Sequence, residues 1–206
     1  MQFLCLEDAY HPLLEQPVSN SIEVREQGVL ITGSNMSGKS TFLRTVGLNA
    51  LLGQTIYTCT ARAYVGCPLR LLTSIGRADN VVEGKSYYLE EALSVLRIVD
   101  AITPAITTLV ILDELYRGTN SEERIFAARR VLEYLAKRNA LVLVATHDLE
   151  LTDFFAYQYR SMHFSEQVGQ LGLEFDYKLK KGPATTRNAI ALLRYLGYPE
   201  EITKQG

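Results

Sequence analysis

Residues 33–40 read Gly33-Ser34-Asn35-Met36-Ser37-Gly38-Lys39-Ser40, a complete Gly-x-x-x-x-Gly-Lys-Ser loop. The apolar run Val29-Leu30-Ile31-Thr32 precedes it, and a helix-like stretch from Thr41 to Leu52 follows. A strand before the loop and a helix after it are the context in which this pattern binds phosphate. Glycines let successive backbone N–H groups turn inward and form an anion nest, and the helix adds its positive N-terminal end. Lys39 is placed to reach the β- and γ-phosphates of a nucleotide, and the Ser40 hydroxyl to hold Mg²⁺. Gly33, Ser34, Asn35, Met36, Ser37, Gly38, Lys39, Ser40 and Thr41 are thus the candidate contacts to ATP.

Working outward, apolar strands alternate with amphipathic helices. Leu69–Ile75 reads as a strand, and Ser86–Ile102 as a helix with Leu89, Leu93 and Leu96 on one face. Thr108–Leu112 is a short apolar run of the kind found in a central parallel strand. Ser121–Lys137 is a second amphipathic helix, acidic at its start (Glu122, Glu123) and basic at its end (Lys137, Arg138), as the helix dipole favours. Leu141–Ala145 is a further buried strand. Later, Tyr159–Phe164 and Leu173–Leu179 alternate like strands and are expected to pair as an antiparallel hairpin around the 167–172 loop. Arg187–Leu196 reads as a short helix, punctuated by Gly197-Tyr198-Pro199. The expected class is α/β: a P-loop NTPase with a mostly parallel sheet flanked by helices and an antiparallel peripheral hairpin.

The bulk numbers fit one domain. The chain has 206 residues, 47% hydrophobic and 21% charged, with a formal net charge of −2. No overall basic field draws it to nucleic acid. The basic runs Lys178–Lys181 and Arg129-Arg130 read as solvated faces. Three cysteines, Cys5, Cys59 and Cys67, without metal-like pairing fit a reducing cytoplasm. The first residues lack the charge and apolar pattern of a signal peptide, and no apolar run is long enough for a membrane span.

A second acidic signal follows the Thr108–Leu112 strand, in Leu112-Asp113-Glu114. Ligands of open α/β sheets bind at the carboxyl edge of the strands, so Asp113 is placed to complete a Mg²⁺ shell. Glu114 beside it can orient and deprotonate an attacking water. This pairing favours hydrolysis over transfer to a bound acceptor. Ala145-Thr146-His147-Asp148 ends the next strand, where His147 can bond a γ-phosphate. His11, in His11-Pro12, is a candidate for the nucleotide base; His163 reads as structural. The Leu-Ser-Gly-Gly-Gln signature of transporter ATPases is absent, which argues against transport and chromosome-maintenance ATPases. Instead Glu83-Gly84-Lys85-Ser86 leads into a helix. Since the chain's own loop already serves one nucleotide, a second anion-binding helix start at Ser86 is read as serving a partner subunit's nucleotide.

Together these segments resemble the MutS mismatch-repair ATPases. The resemblance rests on Ile31–Thr41, on Leu112-Asp113-Glu114-Leu115-Tyr116-Arg117-Gly118-Thr119-Asn120, and on Ala145–Thr152. Tyr10–Glu15, Tyr177–Gly182 and Gly197–Ile202 extend it over nearly the whole chain in the right order. It implies an ABC-type ATPase domain over 1–186 carrying Walker A and Walker B motifs, and a short helical segment over 187–206 that begins a truncated tail. It further implies a homodimer paired head to tail with two ATPs sandwiched between subunits. By match, Lys39 and Ser40 bind phosphate and Mg²⁺, Asp113 supports the metal, and Glu114 positions water. His147 senses the γ-phosphate, and Ser86 reaches the partner's ATP. The family's mismatch-recognition, connector, lever and clamp regions precede this domain, so DNA would be met only through parts absent from this chain. Departures are Tyr116 where glycine is usual, Lys85 for arginine, Tyr87-Tyr88 for Thr-Phe, and Arg187-Asn188 for a serine followed by an aromatic residue. These spare the nucleotide chemistry and bear on the interface and the biological role, so the resemblance fits a divergent MutS-related protein as well as a mismatch-repair enzyme. A reading of another class is a nucleotide-gated interaction module in which ATP drives pairing and turnover is incidental.

Overall fold

The computed structural model describes residues 2–25, 28–76, 87–117, 119–169, 172–184, 193 and 196–203. The run before the loop folds as strand β3 (Gly28–Thr32), buried at every position. It sits inside a six-stranded sheet, flanked by β7 (Ala140–Thr146) on one side and β8 (Tyr159–His163) on the other, both parallel to it. Beyond β7 come β6 (Thr108–Asp113) and β5 (Arg70–Ser74), also parallel. The two-residue β11 (Lys180–Lys181) closes the far side, antiparallel to β8. The sheet is therefore mixed, with order β11-β8-β3-β7-β6-β5.

Continuous apolar runs make such strands because both faces are covered, and successive side chains go to opposite layers. Val29, Ile31, Leu109, Ile111, Leu141 and Leu143 face one layer, where they meet Phe42, Leu43, Val46 and Ala50 of helix α1 (Lys39–Thr55). Leu30, Val110, Leu112, Val142 and Val144 face the other. There they meet α2 (Tyr87–Ala101), α3 (Ser121–Leu135) and the short α4 (Glu150–Phe154). Helix α3 starts at Asn120, whose side chain accepts from Glu123 N–H at 2.9 Å. That cap satisfies one of the amides a helix start leaves free.

Three features differ from the sequence expectation. The hairpin forms between β9 (Glu166–Gly169) and β10 (Gly172–Phe175), while Tyr159–His163 joins the main sheet as a parallel strand. Tyr159 decides this: its ring is fully buried against Gly28, and its hydroxyl donates to Leu132 O at 2.9 Å. On α2, the face toward the sheet carries Ala92, Val95, Ile98 and Val99, while Leu89, Leu93 and Leu96 are exposed. An antiparallel sheet of β1 (Leu4–Ala9), β2 (Asn20–Val24) and β4 (Ala63–Gly66), in order β2-β1-β4, packs on the α1 layer. Its strands are only four to six residues long, too short for the alternation at Leu4–Leu6 and Ile22–Val24 to mark a sheet in the sequence. The expected helix over 187–196 lies almost wholly outside the described residues; a one-turn helix α5 (Glu200–Thr203) follows Pro199.

The contact between Gly28 and Tyr159 yields a stability test. A Cβ on Gly28 would lie 2.4 and 2.6 Å from ring carbons of Tyr159 and 3.0 Å from Val142 O. Gly28→Ala is expected to cost about 1–3 kcal/mol, as overpacking of a filled core does, read as a lower urea midpoint at unchanged slope.

Candidate functional site

The loop after β3 turns on left-handed residues. Gly33 has φ 148°, Met36 φ 68° and Gly38 φ 103°. At Gly33 a side chain is excluded by contact as well, since a Cβ would meet Phe164 O at 2.8 Å. Gly38 caps α1, and no side chain caps that helix start, so its amides remain available to an anion. Lys39, only 5% exposed, folds its amine back to donate to Gly33 O at 2.8 Å and Ser34 O at 2.7 Å. Burial pulls the Lys39 pKa below its ordinary value against the attraction of Glu114 and Asp113.

Two strands away in the sheet, β6 ends at Asp113, and the chain turns sharply at Glu114 (φ 54°) and Tyr116 (φ 63°). The Glu114 N–H donates to Ala145 O at 2.9 Å, which ties this turn to the end of β7. The Glu114 carboxylate, 8% exposed, collects three basic groups. Arg117 Nε lies 2.7 Å from Oε2, His147 Nδ1 3.3 Å from Oε2, and Lys39 Nζ 3.8 Å from Oε1. Burial pushes its pKa up, but the hydrogen bond from His147 and the charges of Arg117, His147 and Lys39 outweigh it, and the carboxyl lies below the ordinary value. The bond to Glu114 raises His147 in turn, against partial burial.

Lys39, Ser40, Thr41, Gly38, Ser34, Asn35 and Met36 line one cavity of about 490 Å³ together with Glu114, Arg117 and His11. Gly33, Ser37 and Asp113 are not part of that lining, though Asp113 is near enough to act on the charge of Lys39, and His147 meets the cavity through Glu114. The structure thus brings together nearly all residues marked in the sequence. Ser86 lies outside the described residues. His163 is structural, its Nδ1–H donating to Gly182 O at 2.9 Å.

Two buried oxygens have no hydrogen-bond partner among the described residues here: Ser37 Oγ and Asp113 Oδ1. A buried acceptor left unpaired costs about 1–3 kcal/mol, more when charged, so Asp113 Oδ1 is a group that a ligand would satisfy. Among the described residues no three His, Cys, Asp or Glu side chains gather as a metal cluster. An ion at Asp113 would draw the rest of its shell from hydroxyl, phosphate and water oxygens, as Mg²⁺ does.

Sequence reasoning passed over several contributors. Arg117 lies inside the quoted Leu112–Asn120 segment, and its spacing of three from Glu114 was the available signal. Glu166 accepts from the Ser34 hydroxyl, and Arg124 grips Asp148 with two bonds of 2.9 and 2.7 Å. Both pairs join residues far apart in sequence.

Residues 29–206 match the family described as MutS domain V. The chain belongs to the MutS family. It is 35% identical over 196 residues to the DNA mismatch repair protein MutS of Thermus aquaticus, covering 93% of this chain and 24% of the relative. To that of Natronomonas pharaonis it is 34% identical over 207 residues, with 96% and 24% covered. The Aquifex pyrophilus protein of the same name is 31% identical over 212 residues, with 98% and 25% covered. The chain spans about a quarter of the length of these curated relatives. No helix among the described residues is long and apolar enough to cross a membrane.

The Glu114–His147 pair sets a pH test. Folding raises the His147 pKa above 6.5, so the stabilisation from its charged form is complete below that value and disappears as pH rises through the raised one. The part from ionised Glu114 is present above 4.5 and is lost as pH falls through its lowered value. Because His147 is 43% exposed, screening holds the pair to about 0.5 kcal/mol. His147→Gln is expected to lower stability in the window between these limits and to lose its effect at alkaline pH, as urea unfolding across pH would read.

Proposed function

We propose that this chain is the ATP-binding and ATP-hydrolysing domain of a MutS-like DNA mismatch-repair protein, a P-loop, ABC-type ATPase. The observation that carries the reading is that Lys39 and Glu114 share one cavity whose floor is the glycine loop and the start of α1. In this reading the amides of residues 33–41 cradle the triphosphate, and Lys39 turns from its loop carbonyls to the β- and γ-phosphates. Ser40 and Asp113 would hold Mg²⁺, which when bound offsets charge on the phosphate oxygens. The unpaired Asp113 Oδ1 supports that assignment.

Water attacks the γ-phosphorus in line, and most of the catalysis is positioning and charge neutralisation. Glu114 stays ionised at neutral pH and so can orient that water and accept its proton. His147, bonded to Glu114, is placed to answer the γ-phosphate. His11, at the cavity wall, is assigned to the base.

By family resemblance, two copies pair head to tail with an ATP at each junction, and Ser86 of one copy reaches the nucleotide of the other. In the full-length protein this pairing would set the conformation of a DNA clamp formed by regions outside this chain, in the cytoplasm. The domain itself is assigned to 1–186 and the start of a tail to 187–206. A second reading, a nucleotide-gated dimerisation module outside mismatch repair, is favoured by one contact. Arg117 pairs with the Glu114 carboxylate at 2.7 Å, and a carboxylate held in that ion pair would be a weaker base, which fits slow turnover.

Glu114→Gln tests both. It is expected to keep ATP affinity, to lower turnover by about 10²–10⁴-fold, the range of a lost general base, and to accumulate an ATP-bound dimer in sedimentation. Unchanged steady-state turnover would remove Glu114 from the chemistry. Dimerisation with no turnover in the unmodified chain would select the gating module. Ser86→Ala is expected to weaken ATP-dependent pairing more than nucleotide binding by the monomer, and equal losses in sedimentation and fluorescent-nucleotide titration would refute a role in trans.

A further inference from the structure

The turn that presents Glu114 and Arg117 is unusual for what it is made of. Glu114 (φ 54°) and Tyr116 (φ 63°) both adopt left-handed backbone, and neither is glycine. Each such residue costs about 1–2 kcal/mol relative to an ordinary conformation and persists only where its surroundings over-determine it. Left-handed steps in a turn aim successive N–H groups at one point, and such a concavity attracts an anion. Here the anion is a side chain from another element. Tyr116 N–H donates to Glu91 Oε1, and Arg117 N–H donates to Glu91 Oε2 at 3.0 Å. Both carboxylate oxygens of one residue on α2 are therefore spent on consecutive amides of the turn after β6. The ring of Tyr88, one turn earlier on α2, packs against the Tyr116 ring with centroids 5.9 Å apart.

We propose that Glu91 is a positioning residue for hydrolysis: it clamps the left-handed turn at Tyr116 and Arg117 and thereby fixes the Glu114 carboxylate and its Arg117 partner. The argument rests on the ATPase reading above for its kinetic consequence and on the two hydrogen bonds for the clamp itself. A charged acceptor bridging two amides is stronger than two neutral bonds, which is what a strained turn requires. Glu91 does not itself line the cavity and meets its wall only through the backbone N–H of Arg117, so its effect runs through the turn. It also ties the geometry of Glu114 to α2, the helix that follows residue 86. A shift of α2 would be felt at the carboxylate without any contact between the helix and the γ-phosphate.

Glu91→Gln is the test, since glutamine keeps one carbonyl acceptor and the shape of the side chain. Three readouts are taken on the 206-residue chain. Amide exchange at Tyr116 and Arg117 is expected to rise about tenfold, as befits one lost charge-assisted bond. The NMR signal of Arg117 Nε–H, set by its 2.7 Å contact with Glu114, is expected to move toward the position of a solvated arginine. For ATP, kcat is expected to fall about tenfold with KM within about twofold, the pattern of a lost transition-state contact. Exchange and the Arg117 signal as in the unmodified chain would overturn the clamp. A looser turn with unchanged kcat, or a rise in KM that accounts for the whole loss, would overturn the positioning role. Absence of turnover in the unmodified chain would instead defeat the ATPase reading, and the two NMR readouts would still decide the clamp. A further pair separates backbone from side chain. In the Glu91→Gln background, Tyr116→Gly and Tyr116→Ala both lose the ring contact with Tyr88, but only glycine is free to take the left-handed conformation. Protection of the Arg117 amide is expected to be higher with glycine than with alanine, and equal values would contradict a clamp acting against backbone strain.

Discussion

A buried carboxylate ringed by three basic groups holds this site together. Glu114 is almost out of solvent, and a lone carboxylate there would give up its charge. Arg117, His147 and Lys39 keep it ionised, and each comes from a different piece of the fold: its own turn, the end of β7 and the start of α1. The carboxylate therefore acts as the knot between three segments: the turn after β6, the end of β7 and the start of α1. Its backbone is tied too, through the N–H of Glu114 to Ala145 O. Removing Glu114 would take the carboxylate from three basic groups at once, while removing any one base would leave it with two.

The sheet makes that convergence possible. β3, β7 and β6 lie side by side and run parallel, so their carboxyl ends open on one edge. Each end then delivers one chemical part: the glycine loop, His147, and the Asp113-Glu114 pair. The ordering in space is not the ordering in sequence, since β7 lies between β3 and β6. Right-handed crossovers through helices are the usual means by which parallel strands achieve this.

How much of this was legible follows from the range of the interactions. β3, α1, β6, α3 and β7 could be read because continuous apolar runs and helical spacing are local signals. Lys39, Ser40, Asp113, Glu114 and His147 could be read because each sits at a fixed offset from a strand end. The pairing of β8 could not: the mixed polar and apolar run Tyr159–Phe164 reads like a hairpin strand, and only the bare Gly28 backbone on the neighbouring strand admits the Tyr159 ring. Glu91 was equally hidden. It sits among other acids on an amphipathic helix, and its partners are 25 and 26 positions away. The exposed Leu89, Leu93 and Leu96 show the reverse, a clear periodicity that does not mark the face turned toward the sheet.

The posture of Lys39 sets a threshold for what can occupy the cavity. Its ammonium already has two carbonyl acceptors and a nearby carboxylate. A guest bearing a single anionic group would have to break those contacts and return little, whereas a chain of linked phosphates can replace each of them at once. On the ATPase reading proposed above, a preference for a longer polyphosphate over a shorter one would follow from these hydrogen bonds of one amine, before any contact with sugar or base.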